Sequence, residues 1–555
     1  MKKLLSLALA ILMLCTLFLT SCSDKRTDDE IMEDIVKNSK RIALTLSVMI
    51  PTDADTSSPE FQKRLAAVEE AINTILRQDC TEIKLIAVND KDYDKAVADK
   101  MGDIKSKLAA GGTKPSSIVF TNQAYKKYVN GVDGEYTIQL KYPEIVDTQV
   151  DVILLRSYDD FMNYASNGQL KSLKDYIAPS GSYNRINKIV KADILNKFKI
   201  GDETYGIPNN HLYSNGLYQY VAIDKSVAAQ VENFNIESLV KNGKLDYSAL
   251  GAFMTEAAKL ENVLPLVAKE SDAPSVSFWG DDDFSLISSS VFGDKAPVST
   301  FANNDYTSFM SLYKKFNSAV DEASKVAVSY KYLTPDEMKA ASDAYYFIET
   351  EKPVINEENA FESVFAVTNY SVNFDRAMEF IYNLQTDEEI RTLLQYGIKG
   401  EDYQLEDGVL EMIKDNNDEY AYKMNPLYTG NGYITYPGEG LDMDLWDDIK
   451  DINYDSVVNP YFGLEKFYAD YSKKADVDAA VAALKALNDT AYAKISDMTA
   501  EEFDVFVAEW SVSVTTNEDV LAIRDSEAFV NAMTAFAELY AEFAGAAAAA
   551  QAVTE

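Results

Sequence analysis

Hydrophobic and polar positions along this chain fall into blocks with different periods. Leu4 through Thr20 is almost wholly apolar, and Ser23 to Lys40 is mostly polar. From Arg41 to Ile50 apolar and β-branched residues crowd together as in a strand, expected to end at Pro51. Ser57-Ser58-Pro59-Glu60 has the form of a helix start, with a capping serine, an early proline and a glutamate. Phe61, Leu65, Val68, Ile72, Ile75 and Leu76 then recur at helical spacing and make one apolar face. Glu82–Val88 is a second strand, and Asp92–Leu108 a second helix closed by Gly111-Gly112. Val150–Leu155 is a third strand, continuously apolar apart from Asp151, as suits a strand covered on both faces. Ser157 caps a helix over Tyr158–Asn167, which Gly168 stops. Three strand–helix pairs predict a parallel α/β lobe. Ligands of such lobes meet the carboxyl ends of the strands, where Ser157-Tyr158-Asp159 stands.

Residues 113–148 are rich in Gly, Pro, Ser and Tyr without a clean period and read as an inserted loop. Leu217–Lys225 is a further strand, and Tyr247–Leu260 is a helix. Phe374–Leu384 and Thr386–Leu394 are two more helices, the second with an expected Thr386/Glu389 capping box. From Lys473 the chain is alanine-rich and helical. Val477, Val481, Leu484 and Leu487 form one stripe, Thr499/Glu502 caps a second helix, and Phe529, Met533, Phe536, Leu539, Tyr540 and Phe543 form another stripe. These stripes read as a packed helical cap, with Ala546–Ala550 a frayed tail.

The opening block has the marks of a secretory signal: Lys2-Lys3, a short apolar core, then Leu19-Thr20-Ser21-Cys22. That closing tetrapeptide resembles the bacterial lipobox, whose cysteine is lipidated and becomes the new N-terminus. The resemblance makes residues 1–21 a removed leader, Cys22 a lipid anchor and 22–40 a flexible tether. Two or more acyl chains hold a protein stably at a membrane, since each buried methylene adds about 0.8 kcal/mol. The mean reach of the tether is about 20–25 Å. No second run after Cys22 is long and apolar enough to cross a bilayer.

The length of 555 residues suits two large lobes or several average domains. A formal charge of −37 argues against nucleic acid and anionic lipid headgroups as electrostatic partners. Of three cysteines, Cys15 leaves with the leader and Cys22 is the lipidation site, so Cys80 stands alone as a small core residue. His211 is the one histidine, so a histidine metal site or a Ser-His-Asp triad would have to use it. Gly-x-Ser-x-Gly, His-Glu-x-x-His and a phosphate loop are all missing from the sequence. Asp281-Asp282-Asp283 and Asp442/Asp444 do not match a twelve-residue calcium loop and read as solvated acids. No cofactor and no metal is expected.

The middle of the chain holds the more specific signals. Val150 to Asp175 runs as apolar strand, Asp, helix, Gly-x-Leu and Leu-x-Asp. Tyr205-Gly206-Ile207-Pro208 then precedes a strand ending in Ile223-Asp224-Lys225, and Phe374-Asp375-Arg376-Ala377 leads to Thr386-Asp387-Glu388. In this order the blocks resemble family 1 of the extracellular solute-binding proteins of ABC importers, the maltose-binding-protein-like group. Leu394–Gly400 and Asn425–Asn431 resemble a lipoprotein branch of it. The resemblance covers about residues 41–470.

It implies an α/β, two-lobed periplasmic-binding-protein-like fold with hinge crossings and a helical C-terminal cap. The first lobe would take 41–218 plus 366–445, the second 219–365 plus 446–555. It further implies a monomer on the extracytoplasmic face of the cytoplasmic membrane. That monomer would capture a carbohydrate or short oligosaccharide between its lobes and deliver it to ABC permease subunits. A sugar offers C–H patches and hydroxyls, so its site needs flat rings and fixed donors and acceptors. Tyr158, Tyr213, Trp279, Tyr345 and Trp446, near strand ends and crossings, are the candidate rings, with Asp159 beside the first. Asn210, His211 and Asn431 are candidate polar partners on loops that the resemblance places near the cleft. A non-transport sensory or adhesive lipoprotein, and a surface glycoside hydrolase with paired carboxylates, stay open as alternatives.

Overall fold

The computed structural model describes residues 43–112, 142–274, 276–278, 284–289, 296–319, 323–414 and 420–552. In chain order its main elements begin with β1 (Leu44–Thr52), α1 (Pro59–Leu76), β2 (Thr81–Asn89), α2 (Tyr93–Ala109), β3 (Val152–Leu155), α3 (Tyr158–Ser166), β4 (Ile207–Pro208) and β5 (Tyr218–Asp224). Then come α4 (Tyr247–Ala257), β6 (Val263–Val267), α5 (Asn304–Phe316), β7 (Lys325–Leu333), β8 (Tyr345–Glu351), β9 (Val364–Val367), α6 (Phe374–Thr386) and α7 (Glu388–Tyr396). The remainder is mainly helical: α8 (Leu445–Asp455), α9 (Leu464–Ala469), α10 (Lys474–Ser496), α11 (Ala500–Trp510), α12 (Glu518–Arg524) and α13 (Glu527–Ala552). The fold is mixed α/β and divides into two compact units. One holds the chain up to Leu154 with Val367–Gln404 and Met412–Thr429; the other holds Leu155–Ala366, Leu405–Glu411 and everything from Gly430. The inserted loop expected at 113–148 lies largely outside the described residues, and the leader, Cys22 and the tether lie wholly outside them.

In the first unit β1 pairs in parallel with β2 from Leu44↔Thr81 to Thr52↔Asn89, and with β3 at Val48↔Val152. All nine residues of β1 are buried. The strand runs through Pro51 rather than ending there. Pro51 lies beyond the point where β1 meets β3, so the missing N–H interrupts no bond on that side. Ser58 caps α1 and accepts from Phe61 N, and Phe61, Leu65, Val68, Ile72 and Leu76 are buried on one face as the spacing predicts. The cap of α7 falls one residue later than expected. Asp387 Oδ1 accepts from Ile390 N at 3.0 Å, while Thr386 ends α6 with its hydroxyl donating to Tyr382 O at 2.8 Å. An aspartate is at least as good an N-cap as a threonine and wins the position.

Two buried ion sites hold this unit. Asp151 Oδ2 accepts from Ser47 N and Gln149 Nε2, both at 2.8 Å. Its Oδ1 accepts from the Ser371 hydroxyl at 2.7 Å and Val372 N at 2.6 Å. Arg64 on α1 grips Asp402 with two bonds, Nε–Oδ1 at 2.8 Å and Nη2–Oδ2 at 2.5 Å. Asp402 in turn accepts from Ile398 N at 2.8 Å. A Cβ on Gly397, whose φ is +82°, would fall 2.3 Å from Asp402 Oδ2. The glycine of the Leu394–Gly400 motif is therefore there to let the carboxylate close in.

The second unit contains a four-stranded sheet in the order β6-β7-β5-β8, with β6 and β7 parallel and the other pairs antiparallel. Val221, Ile223, Leu250, Phe253, Met254 and Val328 build its core. A second core joins Phe301 and Phe309 to Leu484, Phe503, Phe506, Trp510, Phe536 and Leu539, so α10–α13 share an interior with the segment around α5. The alanine-rich run expected to fray is helix through Ala552; alanine has the highest helix propensity.

Candidate ligand groove

A groove of about 1190 Å³ opens in the second unit, lined by α3, residues 193–199, the stretch 456–472 and the end of α13. Each wall is fixed locally. The Ser157 hydroxyl accepts from Asp160 N at 3.1 Å and sets the start of α3, from which Tyr158 projects. The Tyr158 ring stands edge-on to Phe361 at 5.0 Å and Phe462 at 6.1 Å. Gly463 lies against it with φ +88°, where a Cβ would come 3.1 Å from the tyrosine oxygen. Gly463 N donates to Glu357, and Asn459 accepts from Tyr461 N at 2.9 Å, so the 459–463 turn is tied at both ends. Lys191 Nζ donates to the carbonyls of Asn453, Tyr454 and Ser456 at 3.0–3.2 Å, capping α8 just before the groove wall begins.

The lining combines two chemistries. Tyr158, Phe462, Phe467, Tyr471, Tyr540 and Phe543 supply rings. Asn196, Asn459, Lys197, Lys199 and Lys466 supply donors and acceptors. Burial pushes the Tyr158 phenol up to about 12, so it stays protonated and can donate. Rings beside fixed polar groups in a space of this size suit a polar organic ligand with apolar faces. The three acids on the lining, Asp193, Asp470 and Glu542, are all exposed. Among the described residues no group of three or more His, Cys, Asp or Glu side chains is placed to hold a metal ion.

Of the residues singled out in the sequence, Tyr158 lines this groove. Asp159 is exposed in the first turn of α3 and is not part of the lining. Asn210, His211, Tyr213 and Trp446 belong instead to a buried network of the same unit. Asn210 donates to Ile189 O at 3.0 Å and accepts from the Tyr213 hydroxyl at 3.1 Å. Tyr213 N donates to Asn453 Oδ1 at 2.9 Å, and Asn453 donates to the Tyr433 hydroxyl at 2.7 Å. Trp446 Nε1 donates to Thr435 O at 2.7 Å. Gly432 N donates to Asn210 O at 3.0 Å, and a Cβ there would sit 2.8 Å from the Trp446 ring. Asn431 is buried and accepts from Tyr433 N at 3.1 Å. Both ring nitrogens of His211 face carbonyls, Nδ1 that of Asn209 at 2.8 Å and Nε2 that of Asn359 at 3.2 Å. Burial lowers its pKa and favours the neutral ring. These side chains make hydrogen bonds with one another and with backbone, as a supporting network does. Tyr345 is elsewhere, on β8, with Lys331 Nζ 4.8 Å from its ring centre. Trp279 and Asp281–Asp283 lie outside the described residues, and Asp442 and Asp444 are exposed.

The sequence reading missed Phe462, Phe467, Tyr471 and the three lysines, and took Tyr540 and Phe543 as core alone. A signal was present in Asn459-Pro460-Tyr461-Phe462-Gly463, where two rings sit in a Pro/Gly turn just before a helix.

No protein-family model matches the chain, and no curated protein matches it. Among solved structures it is similar to the N-glycan transport solute binding protein NgtS from Streptococcus pneumoniae, at 13% identity and a TM-score of 0.45, over 90% of this chain and 98% of that one. It is also similar to an extracellular solute-binding protein from Bifidobacterium longum subsp. infantis, at 12% identity and a TM-score of 0.39, over 90% and 98% of the two chains. A third is the S. pneumoniae ABC-transporter substrate binding protein FusA in complex with kestose, at 13% identity and a TM-score of 0.34, over 90% and 98%. All three carry solute- or substrate-binding names, and all three TM-scores lie below 0.5.

Proposed function

We propose that this chain is a lipid-anchored, extracytoplasmic solute-binding component of an ABC importer, and that its ligand is a carbohydrate or short oligosaccharide. The observation behind the ligand class is the groove of the second unit, whose lining holds aromatic rings together with amides and ammonium groups. The transport role rests on the ordered sequence blocks from Val150 to Asn431, and the anchor on Leu19–Cys22 directly after an apolar core. A hydrolase reading gains nothing from the groove. Its carboxylates are exposed, whereas a glycosidase needs a general acid whose proton is retained by burial.

The test is calorimetric titration of the mature chain, with Cys22→Ser to keep it in solution, against a panel of di- to pentasaccharides. At least one sugar should bind with a micromolar constant, about −8 kcal/mol, and Tyr158→Ala should weaken it about tenfold through loss of a stacking face. A panel without binding, or a Tyr158→Ala variant that binds as the parent does, would remove the groove from consideration. Deleting the protein from its host should abolish uptake of the same sugar; retained uptake favours the sensory or adhesive alternative.

A further inference from the structure

Charge is distributed unevenly between the groove and the rest of the chain. The sequence has 89 acidic residues against 52 basic ones. The lining breaks this balance, with three lysines, Lys197, Lys199 and Lys466, and three acids. Their depths differ. All three lysines are half-buried, and Asp193, Asp470 and Glu542 are all exposed. Exposed charges are screened by water and salt over about 8 Å, while half-buried ones are screened less. On this lining the positive residues are therefore less solvated than the negative ones.

Two of the lysines, Lys199 and Lys466, lack the carboxylate partners that a chain so rich in acid could have supplied. Among the described residues, neither Lys199 nor Lys466 has a carboxylate within 4.0 Å. Lys197 Nζ stands 4.7 Å from the centre of the Phe462 ring, so one ammonium is held beside an aromatic face. At Lys199 and Lys466, a partly desolvated ammonium without a carboxylate beside it costs free energy that a ligand anion would return.

We infer that the groove takes an acidic carbohydrate, one bearing a carboxylate or sulfate group that meets Lys199 and Lys466 while its ring lies among Tyr158 and Phe462. This rests on the carbohydrate reading above and specifies the ligand's charge. The experiment compares a galacturonic acid trimer, a sulfated galactose trimer and a neutral galactose trimer on the mature Cys22→Ser chain, at 20 mM and 300 mM NaCl. One acidic trimer should bind about tenfold more tightly than the neutral one at low salt, and the gap should narrow at high salt; which trimer does so identifies the acid. Lys199→Gln combined with Lys466→Gln should erase most of that preference, and the matching arginine pair should restore it. Neutral binding equal to or tighter than acidic, or a preference untouched by the glutamine pair, overturns the inference and leaves the carbohydrate reading standing. Failure of all three trimers, with a neutral sugar of another type binding in a Tyr158-dependent way, overturns it too. Failure of every sugar removes both.

Discussion

Glu351 ends β8 where the strand slips in register against β5, between Glu349 and Glu351. The slip places Thr350 to donate to Gln219 Oε1 at 2.7 Å, and Gln219 donates to the Tyr332 hydroxyl at 2.8 Å. Tyr332 donates to Asp272 at 3.1 Å. Glu351 stands near this chain, and burial, with the negative charge of Asp272, pushes its pKa up to about 7. A carboxyl that ionises near 4.5 when unfolded and near 7 when folded stabilises the fold below the lower value. It loses that contribution as pH rises through the upper one. Glu351→Gln should therefore leave stability unchanged at pH 4 and raise it by about 1–2 kcal/mol at pH 8, read by urea melts at both pH values. Equal effects at both would mean that the side chain does not titrate in this window. His211 works in the opposite sense: its lowered pKa means that stability falls as the medium is acidified below about 6.5.

At the scale of elements, the Leu394–Gly400 stretch shows how a sequence motif becomes a fastening. Gly397 has a positive φ and no room for a Cβ beside Asp402, and Asp402 is the carboxylate that Arg64 holds with two bonds. Gly397→Ala should destabilise the protein by about 2–3 kcal/mol through strain and displacement of that carboxylate. Thermal melts of Gly397→Ala and Asp402→Asn should show similar losses, and their double variant should lose less than the sum. The regular elements here were legible in the sequence because local periodicity suffices for them. Ser58, Ser157 and Thr499 cap where the spacing predicts. The site was only partly legible. Tyr158 follows from its place at the end of a strand, but Asn210, His211 and Tyr213 carry the same residue types as a ligand site and are used to join distant backbone segments. Phe462, Lys199 and Tyr540 meet across nearly 350 positions of sequence, and no local period announces such a meeting.

For the molecule as a whole, separate interiors matter more than total length. The helices α10–α13 are not an appendage, because Phe301 packs against Phe506 at 5.1 Å and Trp510 at 4.8 Å. Stopping the chain at residue 473 should therefore expose the core around Phe301 and Phe309. The truncated protein should bind a hydrophobic dye and lose near-ultraviolet dichroism; a truncation that melts like the parent would show that this core holds without its helices.

Cys80 gives the first and second units a means of being watched separately. It is buried in the first unit at a left-handed turn between α1 and β2, and in a chain with Cys15 and Cys22 replaced it is the last thiol. Trp446 and Trp510, the tryptophans among the described residues, fall in the second unit. A thiol reagent then reports opening of one body while indole emission follows the other, in a single tube and without an added label.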